Sequence, residues 1–254
     1  MLLGYALGST SFTTGANNTY GYTAINNNQR QSAFTSGTLN PFVSFQIEDG
    51  KVTTNGSFVR TAQGCVIDSF TLSAAQGELV NAEIGYRAQS VIDSTNGPSV
   101  VTPIGSRVYL WKDVIVQIPG GTTLESVKEF SLEVVNNFET PHYLNGSDVI
   151  GIPIPLNRDI TCSVTADLQT ENLSLYNNYW KSGTEFISVI DLNANPGLLT
   201  AIGSMHTIIT MSGCRVTSAP IPSNIEGINE ITLEFKAGSI SATEYNKWQK
   251  MLPW

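Results

Sequence analysis

The sequence predicts a mainly β fold, and three observations carry that expectation. Charged residues are only 13% of the 254-residue chain while it holds 22 glycines, a composition of strands and turns rather than of helical or disordered chains. Several runs alternate apolar and polar residues with a period of two, the mark of a strand with one buried and one wet face. Between them stand breakers such as Asp49-Gly50, Asn96-Gly97-Pro98, Pro119-Gly120-Gly121 and Asn145-Gly146, which end ladders and start turns. The length admits one large β domain or two small ones.

In chain order, residues 1–14 form a weak strand and Asn17 to Ser36 a polar stretch, either a surface loop or an assembly arm. Phe42 to Ile47 alternates, and Asp49-Gly50 predicts a two-residue hairpin into Lys51-Val52. Phe58–Arg60 and Cys65–Leu72 follow as strands joined near Gln63-Gly64, then Val80, Ala82, Ile84, Tyr86 and Ala88 alternate with polar neighbours. Ser90 to Ser106 reads as a loop. Val108 to Ile118 is rich in β-branched and aromatic residues, with Lys112-Asp113 as a turn or a bulge.

The stretch Glu129 to Leu192 organises the chain. Phe130, Leu132 and Val134 alternate with Glu129, Ser131 and Glu133. A long loop, Asn136 to Asn157, carries too many prolines and glycines for a ladder. From Arg158 to Gln169 alternation returns, with Ile160, Cys162, Val164, Ala166 and Leu168 on one side. Thr170 is placed to cap a short helix with Leu173, Tyr176 and Trp180 on its apolar face and Gly183 at its end. Phe186 to Leu192 is a strand apolar on most of both faces, as a central or interface strand is.

Gly64 to Ser90 lines up without a gap on Gly213 to Ser239 at an offset of 149, pairing Gly64-Cys65 with Gly213-Cys214 and Tyr86 with Phe235. Two explanations stand: two related strand pairs facing each other in two sheets, or the chance likeness of two amphipathic hairpins. After Ala237, Ser241-Ala242-Thr243-Glu244 reads as a capping box, with Tyr245, Trp248 and Met251 at helical spacing, so a C-terminal helix is expected over 241–254. Its aromatics would pack on the chain's own sheets or on a neighbouring subunit.

A net charge of −8 disfavours a protein that grips nucleic acid, since it cannot supply counterion release. No apolar run is long enough for a membrane span, and Met1-Leu2-Leu3-Gly4 does not resemble a secretory signal. Cys65, Cys162 and Cys214 read as buried reduced thiols. With only His142 and His206 as imidazoles, no metal-ligand spacing emerges. Ser212-Gly213-Cys214 is no nucleophile elbow, Gly120-Gly121-Thr122 no phosphate loop, and the acids are scattered along exposed strand faces. No catalytic, cofactor or metal site is expected, and the chain does not read as an enzyme.

The run FSLEVVNN, the loop LNGSDV, the strand RDITCSVTADL and the segment NLSLYNNYWKSGTEFISVIDL resemble the major tail tube proteins of tailed viruses, bacteriophage or archaeal. Gly64 to Val80 resembles that family's earlier strand pair and Ile208 to Ala237 its closing pair, so the likeness runs from about Ser44 to Ala237. The resemblance implies two packed antiparallel sheets, a sandwich or open barrel, with a flanking short helix. The expected layout is one β domain over 1–240, with long loops at about 15–40, 90–106 and 136–157, followed by the C-terminal helix and tail over 241–254.

By resemblance the chain is a structural virion protein of the viral tail, a subunit that self-associates as hexameric rings stacked into a hollow tube for genome ejection. The resemblance also implies tape measure, tail terminator and distal tail proteins as partners, and DNA that passes through the lumen without specific binding. It implies synthesis in the host cytoplasm and no membrane partner. The loop 136–157 would reach an adjacent subunit or ring, and its Val149, Ile150, Ile152, Ile154 and Leu156 are more apolar than a solvated loop warrants. Deleting Ser147 to Pro153 is expected to leave a folded monomer that no longer polymerises. The alternative is a carbohydrate-binding or adhesin-like β-sandwich, which predicts a solvent-exposed aromatic platform and a stable monomer.

Overall fold

The computed structural model describes residues 10–14, 20–25, 43–52, 56–94, 108–142, 144, 151, 153–194, 206–221 and 229–246. It is mainly β. In order the strands are β1 (Thr10–Thr14), β2 (Tyr20–Ile25), β3 (Val43–Val52), β4 (Gly56–Ala75), β5 (Asn81–Arg87), β6 (Ser90–Ser94), β7 (Val114–Gln117) and β8 (Val127–Val135). After them come β9 (Phe138–Glu139), β10 (Ile154–Pro155), β11 (Asp159–Asp167), β12 (Phe186–Asn193), β13 (His206–Ser218), β14 (Glu230–Lys236) and β15 (Ser239–Asn246), with helix α1 (Thr170–Leu175) between β11 and β12. All the pairings are antiparallel, and apart from the small β9–β10 pair the strands form one continuous, open network.

Two long strands tie that network together, because each changes partners halfway along. The first half of β4 pairs with β3 and β6, its second half with β5 and β8. The first half of β13 lies between β12 and β15, its second half against β14. Each change falls at a glycine in the left-handed region, Gly64 at φ 61° and Gly213 at φ 63°, a conformation that side chains with a Cβ resist. The residue after each glycine, Cys65 and Cys214, is fully buried.

The offset noticed in the sequence is a repeat of hydrogen-bond register. Gln63 opposes Ser90 as Ser212 opposes Ser239, and Val66 opposes Arg87 as Arg215 opposes Lys236. The ladder shifts between Ile67 and Ser69 and again, 149 residues later, between Val216 and Ser218. Gln89 N donates to Gln63 O and Gly238 N to Ser212 O, both at 3.0 Å. The preceding strand joins the pattern: Val43 opposes Cys65 as Phe186 opposes Cys214, each with a shift before the next pair, Phe45 with Ala62 and Ser188 with Met211. Thus β3–β6 and β12–β15 are two copies of one arrangement. A period of two alone does not place bulges and left-handed glycines at matching positions.

The core joins Phe70 and Leu72 of β4, Phe130, Leu132 and Val134 of β8, Val164 of β11, and Leu233 and Phe235 of β14 to Ile190 of β12, Ile209 and Met211 of β13, and Ile240 of β15. The Phe186 and Phe235 rings meet edge on, centroids 5.2 Å apart. Cys162 is also buried, and none of the three cysteines is in a disulfide.

The predicted strands over 129–134, 158–169 and 186–192 appear as β8, β11 and β12. The C-terminal helix expected over 241–254 is corrected: residues 239–246 are β15, paired along its length with β13 and β2. Ile240 and Ala242 are buried while Ser241 and Thr243 are partly exposed, a two-residue alternation that outweighs the capping-box signature. Trp248 and Met251 lie outside the described residues. Asp49-Gly50 is not a hairpin turn. It is a register shift within β3, and the ladder runs on until Val52 opposes Gly56.

The two strands expected over 58–72 are one, bent at Gly64. Lys112-Asp113 is part of a 3-10 turn, Trp111–Asp113, closed by Leu110 N donating to Asp113 Oδ2 at 3.0 Å. Two polar stretches read as loops contain strands, β2 and β6, because the ladders of β15 and β4 receive them. After α1 the chain widens into a π-type turn, Tyr176–Lys181, which rotates the apolar stripe. Leu175 is buried and Tyr176 and Tyr179 pack on the core, whereas the predicted Leu173 and Trp180 are exposed. Gly183, at φ 67°, ends the segment as its sequence position implies.

Candidate functional site

The alternation that buries one face of β4, β8, β11 and β14 necessarily turns a second set of side chains the other way. Row by row across the ladders, Thr71 stands beside Glu133, Thr161 and Lys236, and Ser73 beside Ser131, Ser163 and Glu234. Hydroxyls and carboxylates make up most of this face. Thr165 Oγ1 donates to Glu129 Oε1 at 3.0 Å and lies 3.2 Å from Thr232 Oγ1, so the polar groups are linked across three strands. Lys236, at the rim, stands 3.8 Å from Asp159.

At one end of the sheet Lys128 Nζ bonds Asp167 and Glu230, each at 2.6 Å, and these hydrogen bonds raise the Lys128 pKa above its ordinary value. The cation is tied to acids at the surface and is worth little to stability.

The long loop leaves the sheet from a polar clasp. Asn136 is buried; its backbone N donates to Asp68 O at 2.7 Å, its Nδ2 to Ile67 O at 2.8 Å, and its Oδ1 accepts from Arg158 Nε at 2.6 Å. Asp68 continues the clasp, accepting from Phe138 N at 3.0 Å through one oxygen and from Arg87 Nε at 2.8 Å through the other. Asn137, in the left-handed region at φ 46°, donates through Nδ2 to Asn157 O at 2.9 Å. Burial lowers the Arg158 guanidinium to about 10, so it remains a cation at neutral pH. Both ends of the loop are therefore bound to each other and to β4, and β9 and β10 extend the join outward.

Of the five apolar loop residues singled out in the sequence, Ile154 and Leu156 are described: both are exposed, at 46% and 58%. Val149, Ile150 and Ile152 lie outside the described residues. Leu144, farther along the same loop, is wholly exposed. The clasp residues Asp68 and Arg87 were not anticipated, because they reach the loop from β4 and β5, far away in sequence. Asn136-Asn137 was a partial signal, since Asn tolerates the left-handed conformation.

Among the described residues no group of His, Cys, Asp and Glu could hold a metal ion, and no helix is long and apolar enough to cross a membrane. Burial raises the Cys162 thiol, as does the neighbouring Cys214, and pushes Cys214 up to about 11 against a lowering hydrogen bond from the Ser188 backbone. Neither is poised as a nucleophile.

No curated protein matches the chain. Among solved structures it is similar to the virion of a native gene transfer agent particle, with 10% identity, 50% of this chain and 92% of that chain covered and a TM-score of 0.38. It is also similar to the SPP1 tail tube, with 11% identity, coverage of 55% and 81%, and a TM-score of 0.40. A third likeness is to the tube-terminating cap of the anti-feeding prophage, with 16% identity, coverage of 58% and 95%, and a TM-score of 0.38. The sequence profile described as phage tail tube protein matches residues 2–240; with nearly its whole length matched, this chain belongs to the phage tail tube protein family, whose members are structural subunits of the virion tail.

Proposed function

We propose that the protein self-associates into hexameric rings, that the rings stack into a hollow tube, and that the hydroxyl and carboxylate face of β4, β8, β11 and β14 lines the lumen through which the genome is ejected. The observation that carries this reading is the face itself: a sheet buried on one side whose other side is polar and acidic over several strands. Phosphate is repelled weakly there and finds few cations to hold it, so DNA slides without specific binding. The two ladder systems joined at Gly64 and Gly213 act as two facing layers of one β domain.

In this reading the 136–157 loop docks on an adjacent ring or subunit, with Ile154 and Leu156 as its apolar contacts at the clasped base. The tube meets tape measure, tail terminator and distal tail proteins at its ends and on its axis. The subunit carries out no catalysis and is made in the host cytoplasm before joining the tail. No observation favours the carbohydrate-binding alternative.

The loop contact is tested by Ile154→Ser with Leu156→Ser. Both side chains are exposed, so the folded monomer keeps its stability within about 0.5 kcal/mol, while assembly is lost. These substitutions are a cleaner test than deleting 147–153, which would remove the bond from Gly151 N to Pro141 O at 2.9 Å and the buried Pro153. Normal tubes from the double variant would exclude the loop contact.

A further inference from the structure

Between the adjoining ends of β4 and β8 and the strand β7 lies a cleft of about 450 Å³, lined by Val114, Leu124, Val127 and Phe130. Two exposed apolar side chains also line it, Trp111 at 44% and Ile115 at 40%. Trp111 N donates to Glu78 O at 3.0 Å and Val80 N to Tyr109 O at 3.1 Å. These bonds bring Leu79 and Val108, both exposed, to the same end of the sheet.

The rim of the cleft is acidic. Glu125 and Glu129 line it, and Glu78 lines an adjoining pocket that shares Glu129 and Phe130; all three glutamates are exposed. Of the two lysines that line the cleft, Lys128 is already held by Asp167 and Glu230. Three carboxylates therefore stand against Lys112. An apolar segment that carries cations complements such a surface.

One segment of this chain has that chemistry and starts nearby. Residues 247–254, Lys-Trp-Gln-Lys-Met-Leu-Pro-Trp, hold two lysines, two tryptophans, Met251 and Leu252 and no acid, in a chain of net charge −8. They follow β15. Glu244 of β15 opposes Thr207, Thr207 opposes Leu192, and Leu192 opposes Val114. Every pairing is antiparallel, so going from Glu244 to Asn246 is going the way that leads from Val114 back to Trp111. Tyr109 Oη lies 3.2 Å from Thr207 Oγ1, which fixes residues 109–111 at that end. Three strand spacings, about 14 Å, separate the row's ends, and eight extended residues reach about 27 Å.

We propose that residues 247–254, which lie outside the described residues, fold back over this cleft in the same chain. Their apolar side chains pack on Trp111 and Ile115, and Lys247 and Lys250 meet Glu78, Glu125 and Glu129. Burial of the aromatic area supplies the adhesion, while the exposed ion pairs select the segment and add little to it. The tether gives the segment an effective concentration on the order of millimolar, so it occupies the cleft ahead of a second copy in dilute solution. The segment is thus a strap that masks an apolar surface of the free subunit.

The test is zero-length carbodiimide coupling of amines to carboxylates in the dilute full chain, read by peptide mass spectrometry of the single-chain band. Amide links from Lys247 or Lys250 to Glu78, Glu125 or Glu129 are expected. Links from these lysines only to other carboxylates, or no links, would overturn the proposal. Links to the three glutamates found only in a two-chain band would overturn it too, because they would seat the segment on a second copy. In Trp111→Ser with Ile115→Ser, both at exposed positions, the yield of these links is expected to fall at least fivefold with the circular dichroism unchanged. An unchanged yield from the folded double variant would refute the apolar contact.

Discussion

Asn136 Oδ1 accepts from Arg158 Nε at 2.6 Å while Asn136 Nδ2 donates to Ile67 O at 2.8 Å. One buried amide thus binds both ends of a long loop to the middle of β4, so that the chain leaves the sheet there in a fixed direction.

Asn136→Ala removes both bonds in a buried place and is expected to cost about 2 kcal/mol, more than a typical surface change. Urea unfolding followed by tryptophan fluorescence measures this. An unchanged midpoint would mean that the clasp does not hold the loop.

The paired glycines give a graded test. At Gly213 an added Cβ meets nothing nearer than Gly238, at 3.8 Å, so Gly213→Ala carries only the backbone cost, about 1–2 kcal/mol. At Gly64 the same methyl group collides with the Gln89 side chain, which must swing away. Gly64→Ala is expected to lower the melting temperature more than Gly213→Ala. The reverse order would contradict the matched backbone at these two bends.

Cys214 sets a pH dependence. Its thiol holds its proton up to about 11 when folded, against 9.0 for an ordinary cysteine. Above pH 9 the unfolded chain releases this proton first, so unfolding becomes easier as pH rises, until the folded form titrates too. The contribution is complete below pH 9 and declines through pH 11. Stability measured from pH 8 to 10.5 should fall less steeply in Cys214→Ala than in the parent chain; identical slopes would show that the thiol does not contribute.

The lumen assignment is tested by charge reversal. Glu133 and Glu234 are exposed and lie on the polar face. Tubes carrying Glu133→Lys and Glu234→Lys are expected to retain short double-stranded DNA at low salt and to release it as salt rises, while unmodified tubes retain none. Equal, negligible retention by both would place this face away from the DNA path.

The sequence showed β8, β11 and β12 because strict alternation over a half-buried strand is a local signal. It did not show β15, where Ser241-Ala242-Thr243-Glu244 fits a helix start and only the distant ladder of β13 makes the segment a strand. Asp49-Gly50 misled for a related reason: the dipeptide suits a turn or a bulge, and the opposing strand chooses between them. The α1 stripe shifted because a π-type turn changes the angular step. Of the loop, Ile154 and Leu156 stood out in the sequence as apolar and are exposed, whereas the clasp was not legible, since Asp68 and Arg87 meet Asn136 and Phe138 only once the sheet exists. The repeat was visible as a pattern of residues, and matched register and bulges gave it structural meaning.

Negative-stain electron microscopy of the purified, concentrated protein shows whether this chain builds a tube. Hollow rings and stacked tubes with a stain-filled lumen are expected. A preparation that stays a dispersed monomer at every concentration would contradict it.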